Sequence, residues 1–85
     1  DAEAFVTLSP NPVKGNILQA VIKTPEAPWS YEIYDVSGRK IGRCRPSFRN
    51  GSEVMLELPG SIGPGVYFLA AKTREKTYRV MFLKM

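Results

Sequence analysis

The stretch Ser30-Tyr31-Glu32-Ile33-Tyr34-Asp35-Val36-Ser37-Gly38-Arg39-Lys40-Ile41 leaves this chain few folds to choose from. Aromatic and β-branched residues run into Asp-Val-Ser-Gly, and an alternating segment returns from it. Asp is favoured at the first position of a type I turn, and Gly at the fourth takes positive φ without steric cost. The pattern predicts a hairpin with a three-residue loop and a Gly bulge. The predicted register sets Asp35 against Arg39, Tyr34 against Lys40 and Ile33 against Ile41. A slip of one residue would turn the apolar set toward solvent.

The rest of the chain fits around a hairpin of this kind. Ala4–Leu8 reads as a short first strand, broken by Ser9-Pro10-Asn11-Pro12, where two prolines fix φ and push the residues before them toward extended conformations. Ile17–Lys23 carries apolar residues on both faces, as a central strand does. Thr24–Pro28 is a loop, and Trp29 either starts the next strand or caps the end of the core. Arg45–Ser52 is polar, with Pro46 and Asn50-Gly51 as turn residues. Glu53–Leu58 has a clean period of two with Val54, Leu56 and Leu58 inward. After the turn Pro59–Gly65, Val66–Lys72 and Thr77–Leu83 form a second hairpin through Thr73–Lys76. Tyr78, Val80 and Phe82 share one face of its last strand. No segment has a helical period. Seven short strands separated by turn residues predict an all-β, immunoglobulin-like antiparallel β-sandwich.

Eighty-five residues suffice for one domain, so residues 1–85 are expected to form a single sandwich. The chain opens on Asp rather than Met, and it reads as a piece of a longer protein. The longest apolar run, Val66–Ala71, is far short of a membrane-spanning helix, so no direct membrane insertion is expected. Cys44 is the one cysteine. It cannot form an internal disulfide and is expected as a small semi-buried side chain.

Chemistry is hard to find. With no histidine in the chain, Ser-His-Asp and Cys-His catalysis and the usual zinc sites are excluded. Glu53 and Glu57 lie on the outer face of one strand, where solvation is the ordinary expectation, and so small a sandwich offers little cleft for a sugar between two carboxylates. Gly60, Gly63 and Gly65 lack the strand-to-helix setting of a phosphate loop. The residues read as a non-catalytic module without cofactor or metal. The net charge is +4, and Arg39, Lys40, Arg43, Arg45 and Arg49 crowd one stretch. They read better as a hairpin edge kept soluble by charge than as a nucleic-acid surface, because the nearby aromatics alternate into strands.

Four motifs in order resemble a known family. Leu8-Ser9-Pro10-Asn11-Pro12-Val13-Lys14-Gly15 is similar to its Y-P-N-P opening. Ile33-Tyr34-Asp35-Val36-Ser37-Gly38-Arg39 is similar to its IYD-x-x-GR. Leu58 through Leu69, with Pro64-Gly65-Val66-Tyr67-Phe68-Leu69, resembles its L-x-x-G-x-Y-x-L, and Arg79–Lys84 its basic-apolar ending. The chain thus resembles the type A C-terminal sorting domain of type IX secretion substrates in Bacteroidota. It departs in two places: Leu8-Ser9 replaces the usual aromatic, and Met85 follows the final Lys.

The resemblance implies a domain at the end of an exported cargo protein. Such a domain folds in the periplasm, is recognised by the outer-membrane translocon, and in many substrates is cut off by a surface sortase, leaving the cargo at the cell surface or outside. Recognition positions carried over are Pro10, Asn11, Pro12, Asp35, Gly38, Arg39, Gly65, Tyr67, Phe82, Leu83 and Lys84. Gly38, Gly65 and Tyr67 also read as plain fold markers. Asp35–Arg39 reads as an exposed pair worth about 0–1 kcal/mol.

The last strand, with the neighbouring basic hairpin, is the expected recognition element, because the strand's edge is offered for strand addition. An exposed edge strand would also serve a weak homodimer. Deleting Phe82–Met85 is expected to abolish export while most β structure remains. The rival is an accessory carbohydrate- or protein-binding module of a secreted enzyme, with Trp29, Tyr31, Tyr34 and Tyr67 as a stacking platform.

Overall fold

The computed structural model describes residues 5–60 and 62–85. Among them lie the strands β1 (Val6–Ser9), β2 (Ile17–Ile22), β3 (Ser30–Asp35), β4 (Lys40–Arg43), β5 (Arg45–Asn50), β6 (Glu53–Glu57), β7 (Gly65–Lys72) and β8 (Thr77–Lys84). They form two four-stranded antiparallel sheets, β1-β2-β6-β5 and β4-β3-β7-β8. This is the strand order of an immunoglobulin sandwich with an added fourth strand beside the central hairpin strand. The expected β-sandwich is the observed architecture, and no helix occurs among the described residues.

The core follows from period-two patterning on both sheets. One sheet buries Val6, Leu8, Leu18, Ala20, Val54 and Leu56; the other buries Tyr31, Ile33, Leu69, Ala71, Tyr78, Val80 and Phe82. β2 lies between β1 and β6 as expected of a central strand, though its outward Ile17 stays exposed. The first strand runs Val6–Ser9 rather than Ala4–Leu8, because Ser9 still pairs with Gln19; Ala4 lies outside the described residues.

The β3–β4 loop forms as expected. Gly38 N–H donates to the Asp35 carbonyl at 3.0 Å, Asp35 N–H donates to the Arg39 carbonyl at 3.0 Å, and Gly38 has φ +89°. Tyr34 pairs with Lys40, but Ile33 pairs with Gly42 and not with Ile41, through a bulge between Ile33 and Tyr34. The bulge puts one extra residue into the returning strand and so moves the partner of Ile33 on by one. Gly42 lies close to the neighbouring loop: a Cβ there would stand 3.0 Å from Pro59 Cβ, tight enough that Pro59 would have to give by a few tenths of an ångström. The inserted residue, Ile41, still packs against the core.

Arg45–Asn50 is a strand, where the polar composition and Pro46 suggested a loop. It is the outer strand of its sheet and every residue in it is exposed. An edge strand needs no buried face, and it tolerates a proline and positive charge. The expected Asn50-Gly51 turn follows it, with Asn50 paired to Glu53. Trp29 is 63% exposed and caps nothing, although its N–H donates to the Lys72 carbonyl at 2.8 Å.

The chain crosses between the sheets on both sides of the sandwich. Buried Cys44 links β4 to β5, its N–H donating to the Tyr31 carbonyl at 2.8 Å. Burial raises its thiol pKa to about 12. On the opposite side, Pro10–Pro12 carries the chain from β1 to the outer edge of β8.

Candidate functional site

The segment after β1 does not end as a simple turn. Two prolines stop the strand from continuing, and the chain reaches the other sheet at Val13. Val13 is fully buried and pairs in parallel with Lys84. Its N–H donates to the Leu83 carbonyl at 2.7 Å, and its carbonyl accepts the Met85 N–H at 2.9 Å. The Asn11 Oδ1 accepts the Leu83 N–H at 3.0 Å. Residues 11–13 therefore form a strap over the last part of β8.

This strap changes which part of the terminal strand is available. In an antiparallel pair, outward-pointing backbone groups recur every second residue. Leu83 spends its outward pair on the strap, so the same groups of Met81 and Arg79 continue the edge beyond it. Among the described residues these find no backbone partner. A groove of about 290 Å³, lined by Val6, Thr7, Leu8, Asn11, Val80 and Met81, runs beside that open stretch. The edge expected for strand addition is thus covered at Leu83–Met85 and open only before it.

Register gathers the carried-over positions at one end of this sheet. Arg39 stands opposite Asp35 across the turn, Asp35 pairs with Tyr67, and Tyr67 pairs with Phe82. One row on, Val66 pairs with Leu83; the next row joins Gly65, Lys84 and Val13. The strap brings in Asn11 between its two prolines. Motifs from four parts of the sequence meet there.

Their side chains do different things. Phe82 is buried and stacks on Tyr67, with ring centroids 5.9 Å apart. Tyr67 also donates its hydroxyl proton to the Gly63 carbonyl at 2.8 Å. Removing Phe82–Met85 would therefore remove a core aromatic, and loss of export on that deletion would not separate recognition from folding. Asp35 is more than half of an exposed pair. Its Oδ1 accepts from Ser37 N–H at 3.0 Å, Ser37 Oγ at 2.7 Å and Arg39 N–H at 2.9 Å, while Oδ2 meets Arg39 Nε at 3.3 Å. The Ser37 hydroxyl, and after it the Arg39 backbone, holds its carboxyl below the usual range. Asp35 is thus explained by the turn. Pro10, Pro12, Arg39 and Leu83 remain exposed, with Lys84 half-buried.

A second cluster on the outer face of the same sheet had no separate signal in the sequence. Glu32 is only 3% exposed. Its carboxylate accepts from Tyr34 OH at 2.7 Å, Lys72 Nζ at 2.9 Å and Lys40 Nζ at 3.1 Å, with Arg43 Nε 4.0 Å away. The Tyr34 hydroxyl first, then Lys72 and Lys40, hold its pKa down at about 2. Arg79 lies over the Tyr34 ring at 5.4 Å. An alternating Tyr-Glu-Ile marks Glu32 as outward, but its partners come from β4 and β7, and no local pattern names them.

The crowded basic stretch is dispersed by the fold. Lys40 and Arg43 join the Glu32 cluster, while Arg45 meets Glu57 at 3.6 Å on the other sheet and Arg49 Nη2 donates to Tyr31 OH at 3.5 Å. The four aromatics of the rival reading form no platform. Tyr31 and Tyr67 face inward, Tyr34 lies on the outer face, and Trp29 stands apart at a strand end. Among the described residues, no three His, Cys, Asp or Glu side chains are placed to hold a metal.

A family model described as the secretion system C-terminal sorting domain matches residues 7–84, from β1 to the end of β8. No curated protein matches the chain.

Proposed function

The chain belongs to the secretion system C-terminal sorting domain family, sorting signals for type IX secretion, and we propose that its strapped end is what the outer-membrane translocon reads. A cargo joined ahead of the domain passes through the periplasm to the cell surface or the medium. A surface sortase then cuts between cargo and domain. The family is not one of enzymes, and the domain's part is to be recognised.

The observation that carries this reading is convergence. Pro-Asn-Pro, the Asp35–Arg39 turn, Gly65-Val66-Tyr67 and Phe82-Leu83-Lys84 are distant in sequence and form one end of one sheet. Core packing explains Tyr67 and Phe82, and turn geometry explains Asp35 and Gly38. Neither explains exposed Arg39 and Leu83, and Pro10 and Pro12, which shape the strap, are exposed beside it. A receptor approaching that end would meet these four together.

The test is an export assay. The chain is fused behind a Sec signal and a fluorescent protein, then expressed in a type IX-competent bacterium and in a translocon-deficient mutant. Surface or medium fluorescence confined to the competent strain is expected. Cargo trapped in the periplasm of both strains would refute the reading.

A further inference from the structure

The two outer faces of the sandwich differ in charge. On the β1-β2-β6-β5 face Glu57 meets Arg45, and Glu53 accepts only from the neutral Gln19 amide at 3.1 Å, so no positive charge is left over there. On the β4-β3-β7-β8 face, Lys40, Arg43 and Lys72 surround the single carboxylate of Glu32, whose oxygens are already occupied, and Arg79 adds a fourth cation over the Tyr34 ring. Positive charge is left over and held in place. Lys40 and Lys72 are tied to one carboxylate, and Arg79 is stacked on Tyr34.

Beside these cations lies exposed apolar surface. The cross-strand pairs Val66–Leu83 and Phe68–Met81 point outward, and Val66, Leu83 and Met81 are 39%, 43% and 55% exposed. Ala70, between Glu32 and Arg79 in the next row, is covered by its long neighbours. Arginine, methionine and an aromatic in a half-buried apolar field, next to unmatched fixed charge, are the composition of a protein–protein contact.

Resting on the sorting-signal reading, the geometry points to this outer face as the docking surface for an acidic protein of the export machinery. Carboxylates of the partner sit over Arg79, Arg43 and the two lysines, and its apolar side chains cover Val66, Phe68, Met81 and Leu83. Charge complementarity selects this occupant. A second copy meeting the same face would set like charges together. An anionic membrane suits the face less well, because its apolar side chains lie in a flat sheet and its cations are pinned rather than free to follow lipid headgroups.

The test uses the same cargo fusion in the type IX-competent strain. Arg79→Glu combined with Met81→Ser is expected to lower surface cargo about tenfold or more, the scale on which losing an interface anchor reads out. Phe48→Ser on the opposite face should export within about twofold of the parent. Protease resistance of the periplasmic fusion checks that each variant folds. If the double variant is degraded, Arg79→Gln alone replaces it, with the same drop expected.

Export of the folded double variant, or of the Gln replacement, at the parent's level overturns the docking face while leaving the sorting signal intact. Failure of the unmutated fusion to export would instead sink the sorting-signal reading. Purified fusion is also mixed with vesicles of phosphatidylglycerol and of phosphatidylcholine. Equal, weak binding to both is expected. Strong binding to phosphatidylglycerol that Arg79→Glu removes would overturn the protein partner in favour of a lipid surface.

Discussion

The side-chain carbonyl of Asn11 accepts the backbone N–H of Leu83 at 3.0 Å, tying together residues 72 positions apart. The bond lets a side chain take the place of a strand neighbour where the strap has not yet reached pairing register. Asn11→Ala removes it and leaves the Leu83 N–H to solvent. A loss of about 0.5–1.5 kcal/mol is expected, with faster hydrogen exchange at the Leu83 amide and little change in β7. Unchanged exchange at Leu83 would show that the contact does not hold the strap.

Core and surface roles at the end of β8 separate by substitution. Phe82→Ala should cost about 3–5 kcal/mol, because it empties a fully buried ring site. Leu83→Ser should cost well under about 1 kcal/mol at a half-exposed position and still depress export. Denaturant melts and the export assay, run on both variants, distinguish packing from recognition.

Acid should weaken the fold through Glu32. Its pKa falls from the ordinary 4.5 to about 2 on folding, chiefly through the Tyr34 hydroxyl and the Lys72 ammonium. A group with a depressed folded pKa contributes stability that is present above its unfolded value and lost as the proton returns. Stability should therefore fall as pH drops from about 4.5 toward about 2. Glu32→Gln should flatten that part of the profile and cost about 2 kcal/mol at neutral pH, by loss of charge-assisted bonds. Parallel pH profiles for parent and variant would argue against the cluster.

Gly38 has φ +89°, and a Cβ there would meet nothing within 4 Å, so only backbone conformation resists a side chain. Gly38→Ala should cost about 1–2 kcal/mol while export of the folded fusion is retained. A specific export defect at unchanged stability would move Gly38 from turn to receptor contact.

Cys44 should resist thiol reagents at neutral pH in the folded state and react once unfolded, since burial lifts its pKa to about 12. Labelling with an aromatic disulfide, before and after denaturation, checks this.

What could be read in the sequence was what local chemistry decides. Asp35-Val36-Ser37-Gly38 specifies its own turn, and Val54-Met55-Leu56 specifies its own inward face. The partner of Ile33 could not be read, because nothing in Ile33–Ile41 announces a bulge between Ile33 and Tyr34, and the approach of Gly42 to Pro59 is made only when the sheets close. β5 escaped notice because an edge strand leaves no apolar period. The proposed recognition positions were legible only through family likeness. Their meeting at one end, like the cations around Glu32, comes from register between strands that no window of sequence contains.

The parallel pairing of Val13 with Lys84 also bears on the order in which a ribosome makes the chain. The strap is made well before the strand it covers, which brings Tyr78, Val80 and Phe82 to the core. Until β8 exists, Val13 has no partner and the interior no closing side. A chain whose translation stops before β8 would carry an unfinished sandwich, so the same hydrogen bonds that seal it mark a message read through that strand.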